Sequence, residues 1–218
     1  MNSFFVHVVE SPSSADLLDG RTEGRVLLES LQISGIQATY NLITDEPTLN
    51  EAFGTRLVQA IDHHDRFPIV HLSLHGNNNG LALTNGHFVD WHRLRQYLLP
   101  LNNAMNGGLI VSMSACFGIS GCIMAMHENE PLPFFALVGH PDSAMWSDAA
   151  VGFSAFYHRL SKGASLPDAV VAMKAASGDD RFDLRLGTDV QQFFISFMAN
   201  YRVEQVRSGL TKSLAQTT

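Results

Sequence analysis

The stretch of sequence that decides the fold is Pro68-Ile69-Val70-His71-Leu72-Ser73-Leu74-His75-Gly76. It is a short, largely apolar run that ends in a glycine and continues into asparagines, which is typical of a buried strand leaving the core at a polar turn. A second run of this kind covers residues 109–116, and stretches with helical spacing surround both. Alternating strands and helices predict an α/β fold with a mostly parallel central sheet and helices on both faces.

The remaining sequence predicts further elements of the same kind. Apolar or alternating runs predict strands at residues 4–9, 36–43, 134–138 and 193–203, the last of which also fits a helix. Helical spacing predicts helices at 23–34, 48–64, 90–106, 122–127, 147–160 and 166–176, with a hairpin-like excursion at 80–83. Because no linker, repeat or low-complexity tract interrupts the chain, we expect a single domain over residues 1–218, with 204–218 as a C-terminal tail.

The composition excludes several classes of protein. The chain has 218 residues, of which 45% are hydrophobic, and a formal net charge of -7. The apolar content excludes a disordered chain, and the length allows a full core. No uncharged apolar stretch approaches the roughly 18 residues that span a bilayer, and the apolar start lacks a basic lead-in, so we expect a cytoplasmic protein without direct membrane contact. The negative charge argues against direct nucleic-acid binding, which depends on clustered Lys and Arg.

The two cysteines, Cys116 and Cys122, narrow the chemistry further. They cannot form a disulfide framework, and their spacing matches neither a CxxC redox pair nor half of a zinc site. None of the ten histidines shows metal-ligand spacing. We therefore expect no metal and no other cofactor, and at most one thiol with chemistry to perform.

His75 and Cys116 each follow a predicted buried strand. The carboxyl ends of parallel strands meet at one edge of the sheet, about 5 Å apart per strand step, so the two side chains can meet there. A thiolate beside an imidazole suits nucleophilic attack on an acyl carbon. The amides of Gly76 and Cys116 are natural donors for an oxyanion hole. A buried strand-end cysteine and a turn histidine are the structural alternative, and the joint fit of both positions favours catalysis.

The same residues carry a resemblance to a known family. Residues 72–76 followed by 110–118 resemble the His-Gly and Ser-Ala-Cys motifs of the caspase-like cysteine peptidases, specifically the bacterial CHAT branch related to caspases and separase. The similarity continues through residues 135–139 and 148–150, and then through Phe153, Phe156, Tyr157, Leu160, Gly163, Ser165 and Ala169. It spans roughly residues 66–200. Family members more often have Gly or Ser where this chain has Leu74.

This resemblance implies a caspase-like three-layer fold and a metal-independent cysteine endopeptidase. His75 would be the general base and acid, and Cys116 the nucleophile. The substrate would be a specific protein, and by analogy with bacterial relatives its cleavage would activate an effector in a defence system. Because the chain shows no sensor domain, control would come from an activating protein partner, from homo-oligomerisation or from a mobile loop.

The segment after strand 134–138 helps to line the substrate pocket in caspase-like folds, and it offers candidate pocket residues. An acid at Asp142 would select a basic side chain by charge pairing, and His140 could equally face the pocket. Ser114, two residues before Cys116, is a third candidate. For Asp142 and the nearby Asp148, helix capping is the structural alternative to a pocket role. Capping is favoured for Asp148, which lies in the first turn of a predicted helix, whereas for Asp142 both roles remain open.

Two functions from other classes remain open at this point. A catalytically silent caspase-like or flavodoxin-like module could use the same crevice to bind a peptide or a nucleotide. A small-molecule thiol hydrolase or transferase could use the same two side chains. The reactivity of the Cys116 thiol separates the silent module from an enzyme.

Overall fold

A computed structural model describes the backbone of residues 3–215 and the side chains of residues 3–208. The chain forms an α/β fold with a sheet of eight strands between two layers of helices, as the sequence predicts. The main path of the sheet has the order β2-β1-β3-β6-β7-β8, and β4 and β5 extend it as a hairpin from β3. All neighbours along the main path are parallel except β7 and β8, which are antiparallel.

The strands are β1 (Phe4–Ser11), β2 (Ala38–Leu42), β3 (Phe67–Asn77), β4 (Gly80–Ala82), β5 (Phe88–Asp90), β6 (Ile110–Ser114), β7 (Ala136–Gly139) and β8 (Asp183–Leu186). The helices are α1 (Ser14–Leu18), α2 (Glu23–Ile33), α3 (Glu46–Phe53), α4 (Thr55–His64), α5 (Trp91–Ala104), α6 (Trp146–Ser161), α7 (Leu166–Ser177) and α8 (Gly187–Ala215). A 3₁₀ helix, Gly118–Ala125, follows β6.

The central strands are apolar because helices cover both of their faces. On β3, Val70 and Leu72 pack with α3 and α5 on one face of the sheet. Ile69 packs with α2 and α6 on the opposite face, where Phe153 is fully buried. Truncating a buried phenylalanine to alanine typically costs about 3–5 kcal/mol of folding free energy. The burial of Phe153 therefore contributes strongly to holding α6 against this face of the sheet.

Side-chain caps and glycines determine where several of the helices begin and end. The Asp90 side chain accepts a hydrogen bond from the backbone N–H of Arg93 and caps α5. The predicted helix 48–64 is divided into α3 and α4 at Gly54, where the backbone is not helical. The predicted helix 122–127 is replaced by the 3₁₀ helix, which begins earlier and packs tightly against β6.

The strand predicted at 193–203 is wrong, because these residues belong to α8. Phe193, Phe197 and Tyr201 recur every four residues and lie on one exposed helical stripe, which mimics the aromatic content of a strand. Residues 204–215 of the predicted tail continue the helix, and 216–218 lie outside the described residues. Within the part of the chain that the structure describes, no helix is both long and apolar enough to cross a membrane.

Buried His7 on β1 is expected to make stability depend on pH. Its Nδ1 lies 2.8 Å from the Thr39 hydroxyl and its Nε2 lies 3.0 Å from the Ala52 carbonyl, an arrangement that the neutral ring satisfies. Burial lowers the pKa of His7 from 6.5 to about 4. Between these values the unfolded chain binds the proton and the folded chain does not, so the free energy of unfolding falls with falling pH, by up to about 3 kcal/mol.

Urea unfolding at several pH values measures this effect, and an NMR titration of the His7 ring assigns it. The His7→Gln variant should be less stable near neutral pH but should show a flatter dependence between about pH 4 and 6.5. A His7 titration midpoint near 6.5 in the folded protein would contradict the prediction.

Candidate functional site

The register of the sheet places His75 and Cys116 in neighbouring positions. Ser73 on β3 pairs with Ser114 on β6 in parallel register. His75 lies two residues further along β3, and Cys116 lies in the turn two residues after Ser114, so both follow this pair at the carboxyl edge of the sheet. The two predicted catalytic residues therefore come from adjacent chain segments at the edge where open α/β sheets bind ligands.

Gly76 allows the chain after His75 to approach the chain at Cys116. A Cβ atom at Gly76 would lie 2.4 Å from the Cys116 carbonyl oxygen and 3.2 Å from the Ala115 Cβ. No larger residue fits without a shift of the backbone at the candidate nucleophile. This close packing fixes the spacing between the two candidate catalytic residues.

His75 is held by a carboxylate that comes from a distant part of the sequence. Its Nε2 lies 3.1 Å from Oδ2 of Asp16, on the short helix α1. The side chain of His75 is 44% exposed, whereas that of Asp16 is 17% exposed. The Trp146 ring also packs against the imidazole, with ring centroids 5.6 Å apart. Since Nε2 faces Asp16, Nδ1 is the ring nitrogen left to serve a thiol or a substrate.

Asp16 is itself fixed by the cap of α1. The Ser13 hydroxyl lies 2.5 Å from Asp16 Oδ2 and accepts from the Asp16 N–H at 3.1 Å. The Ser13 hydrogen bond is the largest cause of a pKa of Asp16 below its usual range; desolvation opposes it, and the contacts with His75 and Arg21 lower the pKa further. The carboxylate is therefore ionised at neutral pH and can orient the imidazole and stabilise its charged form. The sequence analysis did not identify Asp16 as a site residue.

Cys116 lies at a sharp turn that the next loop holds in place. The thiol is half-buried, and its sulfur lies 3.9 Å from the carbonyl oxygen of Ala144. Phe117 adopts a left-handed conformation with φ 57°, which is rare for an aromatic residue, and its N–H donates to the Asp142 carbonyl at 2.8 Å. Backbone strain of this kind persists only where the surroundings impose it, and here the hydrogen bond to Asp142 holds the turn that follows Cys116.

The backbone amides of Gly76 and Cys116 are the two donors that the sequence predicts for an oxyanion hole. Asn77 and Gly80 close a two-residue hairpin, so Gly76 occupies the next, non-hydrogen-bonded pair of the β3–β4 ladder, opposite Leu81. The N–H of Gly76 therefore points away from β4, towards the Cys116 segment. The amide of Cys116 has no backbone acceptor among the described residues.

The three predicted pocket residues lie in different environments. Ser114 is 8% exposed and directly precedes the Ala115-Cys116 segment. His140 is fully buried, with Nδ1 bound in the turn at Asp142 and Nε2 3.1 Å from Asp179, so it supports the loop from beneath. The side chain of Asp142 is 60% exposed and faces Arg181 at 3.8 Å. Of the three, only Ser114 lies on the sheet beside Ser73, two residues before Cys116.

A cluster of buried carboxylates lies beneath the site, and the sequence analysis did not identify it. Glu10 at the end of β1 is 1% exposed, and Glu23 at the start of α2 is 5% exposed. The Ser73 hydroxyl donates to Glu23 at 2.5 Å, and the Tyr40 hydroxyl donates to Glu10 at 2.6 Å. Glu10 lies at the end of an apolar strand, where a charged residue is unusual, and that was the available signal.

Comparisons with known proteins do not assign a family to this chain. No family model matches the chain, and no curated protein matches its sequence.

Proposed function

We propose that the protein is a cysteine endopeptidase of the caspase-like, CHAT-type kind, with Cys116 as nucleophile and His75 as general base and acid. The observation that carries the proposal is the placement of His75, backed by Asp16, beside the Cys116 segment at the carboxyl edge of the sheet. A nucleophile, a base and a residue that orients the base form the arrangement that nucleophilic acyl transfer needs. The resemblance at residues 72–76 and 110–118 supports the same reaction.

The proposed reaction proceeds in two steps. His75 takes the proton of the Cys116 thiol, and the thiolate attacks the carbonyl carbon of the scissile peptide bond. The amides of Gly76 and Cys116 stabilise the oxyanion, the C–N bond breaks, and His75 returns the proton to the leaving amine. Water, deprotonated by His75, then hydrolyses the thioester, which releases the carboxylic acid and restores the thiol. Asp16 holds the imidazole and stabilises its charged form throughout both steps.

The biological setting proposed for this reaction follows from the resemblance. The substrate is a specific protein, and its cleavage activates an effector in a bacterial defence system. An activating partner or self-association supplies the control. The exposed stripe of Phe193, Phe197 and Tyr201 on α8 is compatible with such a contact.

Alkylation kinetics test whether Cys116 is an activated thiol. Cys122 is an internal control, because it is also half-buried and burial raises the pKa of its thiol. Near neutral pH, iodoacetamide is expected to modify Cys116 at least about tenfold faster than Cys122, because the proposed base His75 takes the proton of the Cys116 thiol whereas burial disfavours the thiolate of Cys122. Peptide mapping by mass spectrometry gives both rates in one sample.

Hydrolysis by the same samples tests the enzyme class. A fluorogenic peptide library should be cleaved, and the loss of cleavage should follow the modification of Cys116 rather than that of Cys122. Equal alkylation rates with no peptide cleavage would support the silent binding module instead. Cleavage of thioesters or small amides without any peptide cleavage would support the small-molecule hydrolase or transferase.

A further inference from the structure

The β7–α6 loop, residues 140–145, contacts the chain segment that carries the candidate nucleophile. The N–H of Phe117 donates to the carbonyl oxygen of Asp142 in this loop at 2.8 Å. The Cys116 sulfur lies 3.9 Å from the carbonyl oxygen of Ala144, two residues further along the loop. The β7–α6 loop is therefore a surface against which the turn at Cys116 rests.

The two segments can lie close together because Gly139, at the end of β7, has no side chain. A Cβ atom at Gly139 would lie 3.2 Å from both the carbonyl carbon of Gly118 and the backbone nitrogen of Ile119. The N–H of Ile119 donates to the carbonyl oxygen of His140 at 3.1 Å. The β7–α6 loop thus begins in close contact with the chain that follows the nucleophile, so a displacement of one segment displaces the other.

The imidazole of His140 holds the β7–α6 loop from within. The ring is fully buried, and its Nδ1 lies 3.0 Å from the backbone nitrogen of Asp142 and 2.9 Å from the carbonyl oxygen of the same residue. The Phe182 ring packs against it edge-on, with ring centroids 5.1 Å apart. Because the Asp142 carbonyl also accepts the N–H of Phe117, one side chain fixes the residue that holds the turn after Cys116.

Asp179 determines which nitrogen of this ring carries the hydrogen. Nε2 of His140 lies 3.1 Å from Oδ2 of Asp179, which follows α7. The Arg181 guanidinium donates to both oxygens of this carboxylate, at 2.9 and 2.7 Å, and these bonds hold the pKa of Asp179 well below its usual range. An ionised carboxylate only accepts hydrogen bonds, so Nε2 carries the hydrogen, and Nδ1 of the neutral ring accepts from the Asp142 N–H.

Folding stability alone does not require a polar pair at this position. Burying an imidazole beside a carboxylate carries a desolvation cost that an apolar side chain of similar size avoids. The turn that the pair supports is strained, because Phe117 has a φ of 57°. Strain of this kind persists only where the surroundings impose it. The hydrogen bonds from His140 through Asp142 to Phe117 supply such a constraint next to the nucleophile.

We propose that His140, oriented by Asp179, is a positioning residue for the Cys116 nucleophile. It acts through the Asp142 carbonyl rather than by contact with substrate, because its ring is fully buried. Catalytic groups must be held within about 0.5 Å of the productive geometry, so a loosened turn slows the chemical step more than it weakens substrate binding. The inference rests on the proposed peptidase function, and it gives His140 a task other than lining the substrate pocket.

Two amide side chains separate the two contacts of the ring. The amide of asparagine lies where Nδ1 of a histidine lies, and that of glutamine lies where Nε2 lies. His140→Asn therefore keeps an acceptor for the Asp142 N–H, whereas His140→Gln keeps only a donor for Asp179. We expect His140→Gln to lower kcat about 30-fold with little change in KM, and His140→Asn to lower kcat less than about fivefold. Cleavage of the best fluorogenic peptide gives both constants, and thermal unfolding gives the stability of each variant.

Alkylation of Cys116 is a second readout, and a buried histidine elsewhere provides the control. In His140→Gln, iodoacetamide should modify Cys116 at least about fivefold more slowly, because the thiol is displaced from His75. His7 is also fully buried with both ring nitrogens bound, but it lies on β1, which β3 separates from β6. His7→Gln should therefore lose stability while keeping kcat and the alkylation rate. A kcat that simply follows thermal stability in both variants would contradict the positioning role.

Asp179→Asn tests the orientation of the ring without removing it. Asparagine can donate to Nε2, which allows the hydrogen to move to Nδ1 and removes the acceptor for the Asp142 N–H. We expect kcat to fall about tenfold while KM changes little. Arg181→Gln is the matched control, because it removes the half-exposed partner of Asp179 but keeps the carboxylate, and its kcat should stay close to the unmodified value. This comparison decides the question if the His140 variants do not fold.

The outcomes separate this inference from the proposed function. Equal kcat values for the two His140 variants, or for Asp179→Asn and Arg181→Gln, would overturn the positioning role and leave the peptidase proposal standing. An unmodified protein that cleaves no peptide, and whose Cys116 reacts no faster than Cys122, would overturn the peptidase proposal and the positioning role with it.

Discussion

The His75→Ala variant is expected to cleave peptides at least about 10³-fold more slowly than the unmodified protein, with little change in thermal stability. Alanine removes the group that takes the thiol proton and protonates the leaving amine, so both halves of the proposed reaction fail. Stability should change little because the side chain is 44% exposed, with contacts to Asp16 and Trp146. The rate is measured with the best substrate from the fluorogenic library.

His87 provides a matched control for this variant. It is 45% exposed and lies 3.3 Å from Glu46, so it shares the exposure and the carboxylate contact of His75 without lying beside Cys116. His87→Ala should cleave the same peptide at close to the unmodified rate. A small effect of His75→Ala, or equal effects of the two variants, would remove His75 from the proposed catalytic pair.

The central strands could be predicted from the sequence because both of their faces are buried. A strand that is covered on both faces is mostly apolar, and β3 and β6 show this as largely apolar runs in which only a few polar residues, such as His71 and Ser112, are buried. The carboxyl ends of such strands lie together whatever the details of the helices. For this reason the neighbourhood of His75 and Cys116 followed from two short stretches alone.

The third member of the site was harder to predict because it depends on tertiary packing. Asp16 lies 59 positions before His75, on a helix of five residues that buries none of its side chains. Such a helix has no hydrophobic period to detect. The local signal was Ser13 followed three residues later by Asp16, a pattern typical of a helix N-terminus that a fuller reading of the sequence could have used.

The inward orientation of the buried carboxylate of Glu23 could not be predicted from the sequence either. Glu23 opens α2, and an acid in the first turn of a helix ordinarily stabilises the helix dipole in solvent. Only the packing of α2 against the sheet turns this carboxylate inward to Ser73. Residues 193–203 were misassigned for a related reason, since aromatic content suits a strand or a helix and the four-residue spacing decides between them.

The Asp16→Asn variant is expected to lower kcat about 100-fold while KM changes little. Asparagine keeps the size of the side chain but removes the charge that orients His75 and stabilises its protonated form. Because hydrogen bonding lowers the pKa of Asp16, this contribution is present at neutral pH and is lost only as pH falls through that lowered pKa. The unmodified protein should therefore keep the benefit through mildly acidic pH, and the variant should lack it across the whole range.

Asp19→Asn distinguishes this role from a general effect on α1. Asp19 ends the same helix, and its half-exposed carboxylate forms an ion pair with Arg21. Its replacement should leave kcat nearly unchanged, because an exposed ion pair contributes little. Asp16→Glu, which restores the charge at a longer reach, should recover part of the lost rate. A residue that positions His75 acts on the chemical step and therefore on kcat. If Asp16→Asn instead raised KM and left kcat unchanged, Asp16 would belong to substrate binding.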